Sequence, residues 1–122
     1  MKILVVDDMT SMRHVLIHML RSLGFTDNEE ASDGLHALNL LRKNKYDLVI
    51  TDLHMPKLDG KGLLQQIRSH KSLKALPVLM VSCEDEKSTI EEVIANQVNG
   101  FIVKPFNTKT LARQMDWICQ ES

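Results

Sequence analysis

Four short runs rich in β-branched residues, Ile3 to Val6, Leu48 to Thr51, Val78 to Val81 and Phe101 to Val103, are separated by helical patterns. Runs this continuous have no face to spare for water, so they read as parallel strands buried on both sides. Each ends in residues able to do chemistry: Asp7-Asp8, Asp52, Ser82 and Lys104-Pro105. Parallel strands put all their carboxyl ends on one edge of the sheet. In open α/β sheets that edge carries the ligand site, where the strand order reverses. The pattern therefore gathers three carboxylates, a hydroxyl and an ammonium into one crevice.

The segments between the strands read as helices. Met12, Val15, Leu16, Met19, Leu20 and Leu23 recur at helical spacing until Gly24 stops them, with Thr10 or Ser11 as the expected cap. A polar second strand is expected around Asn28 to Ala31, and its polarity marks it as an edge. Ser32-Asp33-Gly34 is a turn or cap, and Leu35, Leu38 and Leu41 mark a second helix. His54 to Gly60 is a loop punctuated by Pro56 and Gly60, followed by a helix carrying Leu63, Leu64 and Ile67. Ile90, Val93 and Ile94 line a fourth helix. Leu111, Met115 and Ile118 line a last one that begins near Asn107 or Thr108. Five βα units with right-handed crossovers give a single α/β domain, doubly wound in three layers.

With 122 residues, 43% hydrophobic and 25% charged, the chain is long enough to bury a core without disulfides or metal. A net charge of −1 recruits neither nucleic acid nor anionic membrane. Cys83 and Cys119 lack metal-ligand spacing and are expected to be reduced thiols. His14, His18, His36 and His70 are scattered and read as surface residues. No charged leader with an apolar segment opens the chain, and no stretch is apolar enough to span a bilayer. The expectation is a cytoplasmic monomer.

Charge then narrows the chemistry. One pair of ionised carboxylates at 4 Å repels by about 4 kcal/mol at an effective dielectric near 20. Asp7, Asp8 and Asp52 together therefore require cations. Lys104 supplies one positive charge, and a hard divalent ion is the evident second source. Oxygen-only ligands with positions left for water and phosphate suit Mg²⁺.

The stretches Ile3-Leu-Val-Val-Asp-Asp8, Tyr46-Asp-Leu-Val-Ile-Thr-Asp-Leu-His-Met-Pro56 with Asp59-Gly60, Leu76-Pro-Val-Leu-Met-Val-Ser82 and Gly100-Phe-Ile-Val-Lys-Pro-Phe106 resemble the receiver domain of two-component response regulators. The resemblance runs in order along essentially the whole chain. It is strongest toward the stand-alone chemotaxis members, through Val5 to Arg13 and Ala75 to Val81. It implies a flavodoxin-like (βα)5 fold with strand order 2-1-3-4-5, spanning residues 1–122 with no output domain.

The same resemblance assigns roles. Asp52 would accept a phosphoryl group from a histidine kinase. Asp7, Asp8 and Asp52 would hold Mg²⁺, Asp8 more directly than Asp7, with the backbone carbonyl of His54 as a further ligand. Lys104, followed by a cis proline, would pair with a phosphoryl oxygen, and Ser82 would donate a hydrogen bond to it. Phe101 would be the aromatic that turns inward on activation and remodels the face of helix four, strand five and helix five. His54 and Glu84 would occupy the two positions that tune how fast water reaches the phosphoryl group. Partners would be the kinase, a phosphatase and a target such as the flagellar motor switch.

Two departures bear on the target. Phe101 stands where motor-binding members have Tyr, and Glu84-Asp85-Glu86-Lys87 makes the start of helix four more acidic than such a docking surface suggests. Both leave room for a phosphate sink that drains a shared kinase. Among enzymes, a haloacid-dehalogenase-like phosphohydrolase wants an Asp two residues after its nucleophile, where this chain has His54. A flavodoxin would need a hydroxyl- and glycine-rich phosphate loop where Asp7-Asp8 stands.

Overall fold

The computed structural model describes residues 1–83 and 87–121. Five strands alternate with five helices among them: β1 (Lys2–Val6), α1 (Thr10–Ser22), β2 (Asp27–Ala31), α2 (Gly34–Lys43), β3 (Leu48–Asp52), α3 (Gly60–Ser69), β4 (Val78–Ser82), α4 (Lys87–Ala95), β5 (Gly100–Val103) and α5 (Thr108–Glu121). The strands form one parallel sheet in the order β2-β1-β3-β4-β5. This is the flavodoxin-like arrangement expected from the sequence, and its order reverses between β1 and β3.

Side chains alternate across each strand, so the continuous apolar runs feed two cores at once. Leu4, Val6, Val49, Val78 and Met80 point to one face, where Leu38 and Leu41 of α2, Leu63, Leu64 and Ile67 of α3 and Val93 of α4 cover them. Ile3, Val5, Leu48, Ile50, Leu79, Val81 and Ile102 point to the other, against Leu16, Ile17 and Leu20 of α1 and Leu111, Met115 and Ile118 of α5. Strand β2 contributes only Ala31 to burial, in keeping with its polar, edge position.

Acceptor side chains cap three helix starts. Asp33 accepts the His36 N–H at 2.8 Å, Asp59 the Gly62 N–H at 2.7 Å, and Asn107 the Thr110 N–H at 2.9 Å. The first helix departs from expectation. Its cap position is Met9, with no side-chain cap, and Thr10 already lies inside the helix. The Thr10 hydroxyl instead accepts from Arg13 Nη2 at 3.2 Å, while the Asp7 carboxylate takes the Met9 N–H at 2.9 Å. Helical spacing also overstates burial: Val15, Leu35 and Ile94 keep the pattern yet are 49%, 48% and 61% exposed. A helix lying on a sheet buries one stripe, and these residues fall at its margin.

Gly60 fixes how closely α3 approaches the end of β3. Its N–H donates to the Leu53 carbonyl at 2.8 Å, and a Cβ at 60 would lie 2.3 Å from the Asp52 carbonyl oxygen and 2.9 Å from Met80 Sδ. Gly60→Ala is therefore expected to lower stability by roughly 1–3 kcal/mol in urea titrations. An unchanged midpoint would mean that α3 does not bear on the Asp52 main chain.

Candidate functional site

The β1 and β3 ends that flank the reversal in strand order carry the acidic residues. Asp7 and Asp8 follow β1, and Asp52 ends β3, so their carboxylate oxygens come within 4.8 Å of one another. From β5, Lys104 reaches across the crevice: its Nζ lies 3.5 Å from Asp7 Oδ2 and 3.3 Å from Asp52 Oδ1. The Lys104–Pro105 peptide is cis. Lys104 N–H also donates to the Ser82 carbonyl at 2.7 Å, stitching the ends of β4 and β5 together. Ser82 itself is fully buried at the tip of β4.

The three carboxylates sit in different surroundings. Asp7 is buried: Oδ1 accepts the Met9 N–H, and Oδ2 faces Lys104. Asp8 is exposed. Asp52 is half-buried, with Oδ1 accepting from the Leu53 N–H at 3.0 Å and from Lys104. Its Oδ2 takes no hydrogen bond from the described residues. Burial pushes the Asp52 carboxyl above its ordinary value, and the Asp7 charge adds to the rise. The Lys104 ammonium and the Leu53 N–H pull the other way.

A cavity of about 420 Å³ opens beside these groups, with Met12, Val15, Leu16 and Phe106 facing Asp52 and Lys104. Its apolar wall keeps the local dielectric low, which strengthens the attraction of Lys104 for both carboxylates.

The donor set fits a hard divalent cation. Two oxygens on one Mg²⁺ at about 2.1 Å lie between about 3 and 4 Å apart. A group already within 4.8 Å needs only a small side-chain adjustment or one bridging water. With both Asp7 oxygens engaged, Asp8 and Asp52 Oδ2 are the oxygens best placed to bind directly.

Asp7, Asp8, Asp52, Lys104 and Ser82 thus stand together at one end of the sheet. His54 is exposed in the loop that follows β3, and Phe101 is half-buried on β5 against the core shared with α3. Glu84 lies outside the described residues. Two residues not singled out in the sequence, Thr51 and Arg13, also shape the site, and a third, Arg68, acts at the opposite edge of the sheet. Buried Thr51 donates its hydroxyl to the Asp52 carbonyl at 3.0 Å. Arg13 Nη1 donates to the Asp7 carbonyl at 2.6 Å. Arg68, half-buried on α3, donates to the Gln97 and Leu76 carbonyls and to Asn99 Oδ1, tying down the turn before β5. An arginine one turn into the helix after an acidic pair was a readable cue for Arg13. Arg68 bonds to main-chain carbonyls distant in sequence, which leave no pattern to read.

Residues 3–116 match the family described as the response regulator receiver domain, and the chain belongs to that family. Within it the chain is CheY-like. It is 48% identical over 118 residues to chemotaxis protein CheY-3 of Vibrio cholerae serotype O1, covering 97% of this chain and 91% of that protein. It is 43% identical to chemotaxis protein CheY of Pseudomonas aeruginosa, covering 97% and 95%. Among solved structures, CheY4 of Vibrio cholerae superposes with a TM-score of 0.88 at 33% identity, over 96% of this chain and 97% of that one. The receiver domain of sensor histidine kinase PA1611 from Pseudomonas aeruginosa has a magnesium ion coordinated in its active site cleft. It superposes with a TM-score of 0.85 at 28% identity, over 97% of each chain.

The raised Asp52 value carries a sign. A carboxyl that binds its proton more tightly when folded weakens the native state as it ionises, so stability falls as pH rises through the folded value. Asp52→Asn, neutral throughout, is expected to melt higher than the parent at pH 7 in EDTA. That advantage should fade as pH falls toward the ordinary carboxylate value of 3.8. A variant that melts lower at pH 7 would mean that Lys104 more than offsets the burial of the charge.

Proposed function

We propose that the chain is a phosphorylation-activated switch of a two-component chemotaxis pathway that takes a phosphoryl group from a histidine kinase onto Asp52. The observation that carries this reading is the Lys104 ammonium spanning Asp7 and Asp52 beside exposed Asp8. In this reading the Asp52 carboxylate oxygen not held by the metal attacks phosphorus, the bond from phosphorus to the histidine nitrogen breaks, and the imidazole leaves with the electron pair. Asp7, Asp8, Asp52 and the His54 carbonyl hold Mg²⁺, which when bound neutralises charge on the transferring group and aligns it for in-line displacement. Lys104 then pairs with a phosphoryl oxygen, and the Ser82 hydroxyl donates to another. The metal in the PA1611 receiver supports the assignment.

The output follows from Ser82 and Phe101 in neighbouring strands. The register pairs Ser82 with Val103 and Met80 with Phe101, so a shift of the Ser82 segment toward the phosphoryl group bears directly on β5. The phosphoryl group needs to favour the active arrangement by only a few kcal/mol to move most molecules. Ile94, Val103 and Trp117 expose large apolar side chains on α4, β5 and α5, which supports a docking face on those elements. A flagellar motor switch protein is the first candidate target. A phosphate-sink role is favoured by Phe101, which lacks the hydroxyl of the tyrosine found in motor-binding members. His54 and Glu84 tune the lifetime of the phosphoryl group, and the protein works in the cytoplasm. No helix among the described residues is long and apolar enough to cross a membrane.

Adding beryllofluoride with Mg²⁺ is expected to shift amide resonances of β4, β5 and α4 in the parent protein and to leave Asp52→Asn unchanged. Equal spectra in the parent with and without the analogue would overturn the switch reading. A flagellar switch peptide that binds only the beryllofluoride form favours the motor, whereas one that binds neither form favours the sink.

A further inference from the structure

Arg13 stands beside the acidic crevice, and the phosphoryl chemistry above gives it nothing to do. Its side chain is 13% exposed, and three of its nitrogens are committed to three different segments. Nη1 donates to the Asp7 carbonyl at 2.6 Å, Nε to Glu30 Oε1 at 2.9 Å on β2, and Nη2 to Thr10 Oγ1 at 3.2 Å. On the other side of the same residue, Asp7 N–H donates to the Ala31 carbonyl at 3.2 Å, directly after Glu30. The main chain on both sides of Asp7 is therefore pinned to the end of β2.

The consequence falls on Asp8. Asp8 is exposed, and its side chain takes no hydrogen bond from the described residues. Its direction depends on the peptide plane that joins it to Asp7. That plane is rigid, so fixing the Asp7 oxygen fixes how the Asp8 backbone leaves it. A guanidinium fork is well suited to this because its donors keep a constant angle. We propose that Arg13, held by Glu30, is a positioning residue for the divalent-cation site, locking the Asp7–Asp8 peptide so that both carboxylates face one ion. The inference rests on the reading that this crevice binds Mg²⁺.

Charge alone makes the opposite prediction. An arginine near a cation site repels the ion, so removing it should tighten binding. Glu30 lies 2.9 Å from Nε and offsets that charge, which leaves geometry as the effect of Arg13 on the ion. Groups that orient metal ligands typically govern affinity by 10–100-fold.

The test is titration of the full chain with Mg²⁺ alone, followed by NMR of the Asp7 to Met9 amides, with melting in EDTA measured in parallel. Arg13→Ala is expected to weaken Mg²⁺ binding about tenfold. Arg13→Lys should recover part of the loss, since an ammonium reaches the carbonyl without the fork. Glu30→Gln should shift affinity in the same direction by a smaller factor, and it carries the test should Arg13→Ala fail to fold. Binding by Arg13→Ala as tight as the parent's, or tighter, overturns the proposal. So does unchanged affinity in Glu30→Gln when Arg13→Ala is unfolded. Asp8→Asn separates the two readings. If the parent binds no Mg²⁺, or Asp8→Asn binds as well as the parent, the metal assignment itself fails.

Discussion

The contact of the Lys104 ammonium with Asp7 and Asp52 lets three carboxylates share one crevice. Without that positive charge, two partly buried acids next to an exposed one would repel by several kcal/mol. Its presence also makes the arrangement exchangeable. Lys104 offsets the carboxylates, and in the proposed function the same ammonium pairs with a phosphoryl oxygen. The rest of the fold serves this contact. A parallel sheet brings the ends of β1, β3 and β5 to the same edge, and the reversal of strand order at β1 and β3 opens a cleft between them.

Packing and function are coupled through the strand ends. The same alternation that sends Val81 into one core and Met80 into the other leaves Ser82 buried at the tip of β4, bonded through its carbonyl to Lys104 N–H. Neither residue moves without consequences for β5. At the far end of the sheet, Arg68 holds the turn before β5 through Gln97 and Asn99, and the Asn99 side chain accepts the Val78 N–H at 2.8 Å. Strand β4 is thus tied to β5 at both ends.

Most of this was legible because burial on both faces writes itself into the sequence as continuous apolar runs. β1, β3, β4 and β5 could be read from composition alone, and β2 was recognised as an edge by its polarity. The grouping of Asp7, Asp8, Asp52, Ser82 and Lys104 was legible for a related reason: parallel strands end on one edge, so the residue after each run was the one to inspect. What escaped was decided by tertiary contact. The Met9 start of α1 depends on the Asp7 carboxylate taking a backbone N–H, which no local pattern announces. Val15, Leu35 and Ile94 share the helical period of buried neighbours and differ only in where the sheet lies. Arg13 and Arg68 act through carbonyl groups, and any residue can supply a carbonyl.

The most direct measurement is to locate the phosphoryl group. The protein is incubated with Mg²⁺ and acetyl phosphate, the acyl phosphate is trapped by borohydride reduction, and the reduced residue is mapped by peptide mass spectrometry. The expected result is a single modified residue, Asp52, formed only when Mg²⁺ is present and strongly diminished in Lys104→Ala. Modification of Asp7 or Asp8 instead, or none at all with Mg²⁺ and donor in excess, would contradict the assignment of the crevice.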